Sequence, residues 1–286
     1  MKYVILSDSD NIEPFIVPRQ LLEVNGEPLI KRTIRLLKEN GVEDILVTSH
    51  DPRFDNLGAT RYEPLYNDYK PKLNIGYWLS AFPIELLTGP ITFLLGDVFY
   101  SEDAIKTIIK EETNSILFFC TYHNKNKKYI KHHDEPLGFK VVDYKTFIKH
   151  IDILKRLKDE GKTLREPIAW ELYRSINGIN IKTHALTKNY IAINDETCDV
   201  DRVVDIDLLK LKIGGIKMVK VKCIVTYNDL QLNRLVNIGE ELEVTNERAE
   251  TLLDKQLVEV IEVIPEEKKE KPTEPKKPVK KQNKKK

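Results

Sequence analysis

The sequence predicts an α/β protein: a mostly parallel sheet covered by helices on both faces, followed by a small β-rich domain and a basic tail. Two observations predict the main fold. Short, continuous apolar runs of strand type alternate with helical segments from the N-terminus to about residue 213, the arrangement that βαβ units and a parallel sheet require. The polar segments that close these runs are acidic at three places, Ser7-Asp8, Gly96-Asp97 and Asp199–Asp201. A third observation sets the boundary. Past Gly214-Gly215 the apolar pattern becomes alternating. We therefore divide the chain into residues 1–213, a small α+β module at 214–264, and a tail at 265–286.

The elements follow in order. "KYVILS" reads as a buried strand and "EPLIKRTIRLLKENG" as a helix, with Leu29, Ile30, Ile34, Leu36 and Leu37 at helical spacing and Gly41 as its stop. "VEDILVTSH" is the second strand, which completes a βαβ unit. "NIGYWLSAFPIELL" reads as a helix that Pro83 kinks or breaks. "PITFLLGDVFYS" is a third strand ending in Gly-Asp, and "SEDAIKTIIKEE" a helix with Ser101 as its cap and acids in its first turn. "NSILFFCTY" is a fourth strand, "EPLGFKVVDYKTFIKHIDILKRLKDEGK" a strand and a long helix, and "PIAWELYRSING" a helix closed by Gly178. "YIAINDETCDVDRVVDIDLLKLK" gives a strand, an acidic turn and a helix. In the module, "MVKVKCIVTY", "NIGEELEVT" and "LVEVIEVI" read as strands and "NERAETLLDKQ" as a short helix.

Charge is unevenly placed. The net charge is +1, but the tail "PEEKKEKPTEPKKPVKKQNKKK" sets ten lysines against four glutamates, so residues 1–264 carry about −5. A body of that charge is not a general nucleic-acid binder, and the tail alone is suited to RNA, DNA or an acidic protein. With four prolines and a single apolar side chain, Val279, the tail cannot bury a core and is expected to be disordered. No apolar run approaches the ~20 residues that span a bilayer, and the N-terminus lacks the pattern of a signal peptide. An intracellular protein without membrane partners is expected. Cys120, Cys198 and Cys223 are far apart and without metal spacing, as buried reduced thiols are.

The carboxylates carry the chemistry. In sheets of this kind ligands sit at the carboxyl ends of the strands. Asp97 stands at such an end, and Gly96 beside it leaves room for close approach to the backbone. Magnesium takes hard oxygen ligands and is held by one or two carboxylates plus substrate phosphates. A lone Gly-Asp serves equally as a turn or helix cap. "NDETCDVDRVVDIDLL" shifts the balance, because Asp199 and Asp201 alternate along an extended segment and face one way, while Asp205 and Asp207 serve the following helix. If Asp97 and Asp201 share a rim they form a metal site that bridges nucleotide phosphates and aligns the attacking oxygen. Such a transfer needs no nucleophilic side chain, and no Ser-His-Asp or Cys-His arrangement is evident.

Taken together, "YVILS…VPRQLLEVNGEPLIKRTIRLLKENGVEDILVTS", "LLGDVFYSEDAI" and "CDVDRVVDI" resemble the sugar and choline nucleotidyltransferases. With "REPIAWELYRSING" and "NYIAINDETCDVD" the chain looks most like phage and prophage members of the MobA-like group, over about residues 1–212. The resemblance implies a GT-A-type fold and transfer of a nucleoside monophosphate from an NTP to a sugar phosphate or phosphorylated alcohol, with Mg²⁺ as cofactor and pyrophosphate released. By position it makes Asp97 and Asp201 the metal ligands with Asp199 adjacent, and Arg19 the phosphate contact where the family has Lys. It makes Gln20 a family variant, and Ser7 and Asp8 the start of the nucleotide loop. Arg binds phosphate through two donors where Lys is a point charge. The departure is the loop itself. "SDSDNIEPF" has no glycine and carries Asp8, Asp10 and Glu13, whereas the family loop presents backbone amides to phosphate. Ser7 and Ser9 still offer hydroxyls. Altered nucleotide use, weak activity and an inactive transferase all remain open.

Other segments have two readings each. "NDYKPKLNIGYW" lines a base or acceptor pocket through Lys70, Lys72 and Gly76, or is a surface loop. "REPIAWELY", with Arg165, Glu166, Trp170 and Glu171, faces an acceptor or is an amphipathic core helix. His123, His132 and His133 lie in a polar loop without zinc spacing. Residues 216–264 resemble a module at the ends of phage head and virion-associated proteins, which implies docking to a larger assembly and a place in the host cytoplasm or on a virion. The competing readings are a glycosyltransferase using a nucleotide-sugar on the same fold, and an inactive transferase domain carried on a virion.

Overall fold

The computed structural model describes residues 1–7, 17–65, 82–121, 134–163, 167–201, 203–213 and 218–264. The chain enters through β1 (Lys2–Leu6), a hairpin of β2 (Glu23–Val24) and β3 (Glu27–Pro28), helix α1 (Leu29–Glu39), β4 (Ile45–Thr48) and β5 (Thr60–Tyr62). It continues with β6 (Ile91–Leu95), β7 (Val98–Phe99), α2 (Glu102–Lys110), β8 (Ile116–Thr121), β9 (Glu135–Val141), α3 (Tyr144–Asp159), α4 (Ala169–Asn177), β10 (Tyr190–Ile193), β11 (Cys198–Asp199) and α5 (Val203–Ile213). The last part is β12 (Met218–Cys223), β13 (Tyr227–Asp229), β14 (Arg234–Val236), β15 (Glu241–Thr245), α6 (Asn246–Asp254) and β16 (Val258–Ile264).

Seven strands form the main sheet in the order β10-β8-β9-β6-β1-β4-β5. The pairs β1–β4, β1–β6, β4–β5 and β8–β10 are parallel, and β9 alone runs antiparallel to both β6 and β8. No helical period separates β8 from β9 in the sequence, and strands joined without a crossover pair antiparallel.

Alternation along each strand sorts its side chains to opposite faces. Tyr3 and Ile5 of β1 pack with Ile30, Ile34 and Leu37 of α1 and with Ala104, Ile105 and Ile108 of α2. Val4 and Leu6 pack on the other side, with Phe147, Ile151 and Leu154 of α3 and Trp170, Leu172 and Tyr173 of α4. The sheet is thus covered on both faces. In the second core the Phe139 ring centroid lies 5.2–5.9 Å from those of Phe93, Phe118 and Phe147, and Phe93 stacks on Phe147 at 5.5 Å, within the range of favourable aromatic contacts.

Local chemistry sets the element ends. Ser101 Oγ accepts from the Ala104 amide at 2.9 Å and caps α2. Gly41 follows α1 at φ +80°, a conformation that costs a residue with Cβ. Gly138 lies where a Cβ would stand 2.7 Å from the Phe93 carbonyl, so only glycine lets β9 approach β6 there. The helix expected over "NIGYWLSAFPIELL" differs in its described part: Pro83 precedes a single 3₁₀ turn, Ile84–Leu86, because proline removes a helical donor and blocks a continuous helix. Its remainder lies outside the described residues.

Beyond α5 the strands form a separate sheet, β15-β12-β16, with β13–β14 as an added hairpin. Their core, Val219, Val221, Val236, Leu252, Leu253 and Val258 among others, also takes in Leu208 and Leu211 from α5. The basic tail lies outside the described residues. Among the described residues no helix is long and apolar enough to cross a membrane.

Candidate functional site

The site forms at the carboxyl ends of β1 and β6. The parallel ladder runs Leu6 beside Leu95, and one step further the Gly96 amide donates to the Leu6 carbonyl at 2.9 Å. The Ser7 amide in turn donates to Thr48 at the end of β4. Gly96 is close-packed: an added Cβ would meet Ser7 Oγ at 2.6 Å, the Leu6 carbonyl at 2.9 Å and Gln20 Cγ at 3.0 Å. The space that Gly96 leaves is therefore used by the protein's own Ser7 and Gln20. Ser7 Oγ is buried without a hydrogen-bond partner among the described residues, a condition that costs free energy unless a ligand or water supplies one.

Tyr100 anchors this end of the sheet. Its hydroxyl donates to the Leu137 carbonyl at 2.6 Å and accepts from the Leu95 amide at 3.1 Å, which ties the last residue of β6 to β9. Burial pushes the Tyr100 phenol well above its ordinary pKa, so it stays a donor. Sequence reasoning missed this residue, because an aromatic in an apolar run carries no signal for its hydroxyl.

Asp97 and Asp201 meet through the short antiparallel pair β7–β11. Cys198 lies opposite Phe99 and Asp199 opposite Val98, and the Val200 amide donates to the Asp97 carbonyl at 2.9 Å. Phe99 and Cys198 of the pair pack with Val24, Leu29, Val200, Ile206 and Leu209. Asp205, fully buried, accepts from the Asp201 amide at 3.1 Å and fixes the turn into α5. Asp195 accepts from Ser101 Oγ at 2.6 Å and from the Thr197 amide at 2.8 Å, which joins the acidic turn to the start of α2.

The two carboxylates converge on Arg19. One η nitrogen is 3.2 Å from Asp97 Oδ2 and the other 2.6 Å from Asp201 Oδ1. Arg19 opens a 3₁₀ turn, Arg19–Leu21, directly after Pro18, and its side chain is 12 % exposed, against 17 % for Asp97 and 50 % for Asp201. Burial disfavours the guanidinium charge, but attraction from Asp97, Asp201 and the buried Asp199 outweighs it and holds the Arg19 pKa above its ordinary value. Arg19 Nε is buried without a hydrogen-bond partner among the described residues.

Of the residues expected at the site, Ser7, Arg19, Gln20, Gly96, Asp97, Asp199 and Asp201 are therefore neighbours. Asp8, Gly76 and the loop acids Asp10 and Glu13 lie outside the described residues, as do Ser9, Lys70, Lys72, His123, His132, His133, Arg165 and Glu166. Among the described residues no group of three or more His, Cys, Asp or Glu side chains is drawn together. Asp97, Asp199 and Asp201 thus do not form a ready-made triad, and Arg19 stands between the first and the last. Trp170 is buried, and Glu171 pairs with Arg174 at 3.0 Å inside the protein. The three cysteines are buried, and none forms a disulfide among the described residues.

No protein-family model matches the chain. Among curated proteins it is 28% identical over 107 residues to a bifunctional IPC transferase and DIPP synthase of Thermococcus kodakarensis, a match covering 32% of this chain. The chain spans 22% of the length of that protein. Solved structures similar to it include a chain assigned as a glucose-1-phosphate thymidylyltransferase of Bacillus anthracis, in complex with sucrose (13% identity, TM-score 0.49, 73% of this chain and 94% of that one). They also include the CTP:phosphocholine cytidylyltransferase LicC of Streptococcus pneumoniae (20% identity, TM-score 0.44, 73% and 97%). A third is the inositol-1-phosphate CTP transferase of T. maritima (12% identity, TM-score 0.44, 74% and 95%). At such scores these likenesses decide nothing about chemistry, and the fold class rests on the strand order and the two-sided helical cover.

Proposed function

We propose that this chain is a nucleotidyltransferase that transfers a nucleoside monophosphate from an NTP to a sugar phosphate or phosphorylated alcohol and releases pyrophosphate. One observation carries the reading: Asp97 and Asp201, from distant parts of the sequence, converge on a single cationic group at the carboxyl end of the parallel strands. The family resemblance of residues 1–212 and the partial match to a curated transferase support it.

In the reaction a phosphate oxygen of the acceptor attacks the α-phosphorus. The bond from that phosphorus to the oxygen bridging the β-phosphate breaks, and its electron pair leaves with pyrophosphate. The donor set suits Mg²⁺, since Asp97 and Asp201 are hard oxygen ligands already directed at one positive centre, with Asp199 adjacent. A bound Mg²⁺ would offset the charge that develops on pyrophosphate. Arg19 supplies a planar cation with donors for phosphate oxygens, and its Nε, unmatched among the described residues, is one of them. Ser7 Oγ is a further hydroxyl for the nucleotide, beside the close-packed Gly96 and Gln20. Asp8 and Gly76 complete the nucleotide contacts in this reading.

Residues 214–264 dock, in the same reading, to a phage head or another large assembly. The chain then works in the host cytoplasm or on a virion, and only its basic tail meets nucleic acid. That part rests on the sequence resemblance of residues 216–264.

The test is incubation with each NTP, Mg²⁺ and a pool of sugar phosphates and phosphorylated alcohols, read by pyrophosphate release. We expect release with a restricted NTP and acceptor pair, lost in Asp97→Ala. Release of a nucleoside diphosphate from a nucleotide-sugar would indicate a glycosyltransferase instead. One observation favours a second reading, an inactive transferase domain on a virion: a protein cation already bridges Asp97 and Asp201. Absence of turnover, with no Asp97-dependent nucleotide binding, would establish that reading.

A further inference from the structure

The place between Asp97 and Asp201 is filled by the protein's own guanidinium. Each η nitrogen of Arg19 serves a different carboxylate, at 3.2 Å and 2.6 Å. A divalent ion using both carboxylates would sit in that same volume. Two cations in contact there would repel strongly in a partly buried setting. Metal and guanidinium are therefore alternative occupants.

The present position is also incomplete for Arg19. Among the described residues its buried Nε has no partner, so the two aspartates satisfy only part of a five-donor fork. Phosphate oxygens match that fork with two parallel bonds. A nucleotide polyphosphate thus offers Arg19 something the resting contacts do not.

We propose that Arg19 is an internal counter-ion that holds the cation place in the resting protein and must release Asp97, Asp201 or both before a divalent metal loads. The proposal rests on the nucleotidyltransferase reading. Polyphosphate draws the guanidinium away and opens the carboxylates. Metal and nucleotide then bind with positive coupling, by the reciprocity that links any two ligands sharing one two-state element.

The experiment is Mn²⁺ binding without turnover, followed by the electron paramagnetic resonance signal of free Mn²⁺. Wild type, Arg19→Gln, Arg19→Lys and Asp97→Asn are compared, with folding checked by circular dichroism. Without nucleotide, Arg19→Gln should bind Mn²⁺ at least about tenfold more tightly than wild type. Arg19→Lys should fall between them, because one ammonium cannot serve both carboxylates as the fork does. A non-hydrolysable NTP should tighten Mn²⁺ binding in wild type more than in Arg19→Gln. If Arg19→Gln fails to fold, Arg19→Lys alone decides: tighter binding than wild type supports the proposal, and equal or weaker binding overturns it. Equal or weaker binding in Arg19→Gln, with Asp97→Asn still lowering affinity, overturns the counter-ion role and leaves the metal site standing. No Asp97-dependent Mn²⁺ binding in any variant overturns the nucleotidyltransferase reading itself.

Discussion

Arg19 stands 3.2 Å from Asp97, a contact between the turn before β2 and the turn that ends β6. The same guanidinium reaches Asp201 at 2.6 Å, yet the two bonds are not equivalent. Asp97 is a largely enclosed partner and Asp201 is half exposed. Water screens the second pair, and exposed ion pairs contribute about 0–1 kcal/mol.

From that asymmetry, Asp97→Ala should lower stability by about 1–3 kcal/mol, because it leaves a largely buried guanidinium short of a partner. Asp201→Ala should cost no more than about 1 kcal/mol. Urea denaturation of the two variants side by side checks the order, and a larger loss in Asp201→Ala would refute it.

Gly96→Ala should damage both stability and ligand binding. The new methyl would press on the Leu6 carbonyl at 2.9 Å and on Ser7 Oγ at 2.6 Å, and overpacking of this kind costs about 1–3 kcal/mol. Gly138→Ala makes a comparable clash, with the Phe93 carbonyl at 2.7 Å, but among core strands away from Ser7 and Gln20. Similar losses of stability in both, with weakened nucleotide binding only in Gly96→Ala, are expected. Calorimetric titration with nucleotide alongside denaturation separates the two effects.

Much of this architecture is legible in the residues. "KYVILS", "VEDILVTSH" and "PITFLLGDVFYS" carry unbroken apolar runs at their centres because both faces of their strands are buried, and α1 shows its buried stripe at helical spacing. The strand-end acids at residues 97 and 201 could be paired in thought because ligands gather at such ends. What joins them could not be read. β7 and β11 are two residues each, too short for any period. The antiparallel course of β9 shows in the sequence only through the missing helical period between β8 and β9. Resemblance alone makes Arg19 a phosphate contact, and its place between the two aspartates depends on distances that no spacing encodes.

Glu171 and Arg174 should prove structural. Both side chains are about nine-tenths buried or more, at 7 % and 6 % exposure, and Glu171 also accepts from the Ile168 amide at 3.0 Å to start α4. Removing one partner strands a buried charge, which costs about 3–5 kcal/mol. Glu171→Ala should lose stability of that order and leave the KM for acceptor unchanged in whatever fraction stays folded. An unaltered stability with a raised acceptor KM would instead place "REPIAWELY" in the acceptor site.

Asp229 gives the C-terminal module a pH signature. Burial opposes its charge, but amide donors, including that of Leu232, together with Arg248 and the Tyr227 hydroxyl, lower its pKa to about 2. A carboxylate depressed in the folded state stabilises above its unfolded pKa, near 4, and that contribution is lost as pH falls toward 2. The shift corresponds to about 2 kcal/mol. The stability difference between wild type and Asp229→Asn should be flat above pH 5 and shrink steadily between pH 4 and pH 2. A difference that grows on acidification would contradict the sign.

Helix α5 should couple the main sheet to the module. Ile206 and Leu209 pack under the β7–β11 pair, whereas Leu208 and Leu211 enter the core of the β15-β12-β16 sheet. Asn246 at the start of α6 adds a bond to the Leu211 carbonyl at 3.1 Å. The proposed division after residue 213 therefore cuts beside a helix that serves both cores. A chain ending at Ile213 would expose Leu208 and Leu211, each worth about 1.5–3 kcal/mol when buried. Loosening of α5 would reach Asp201 through Asp205, whose carboxylate holds the Asp201 amide. We expect residues 1–213 alone to bind a hydrophobic dye, to unfold at lower temperature than the full chain, and to hold nucleotide more weakly. Replacing both leucines by glutamine in the truncated chain should restore solubility and remove dye binding. A truncated chain as stable as the whole, with no dye binding, would show that the two cores are independent.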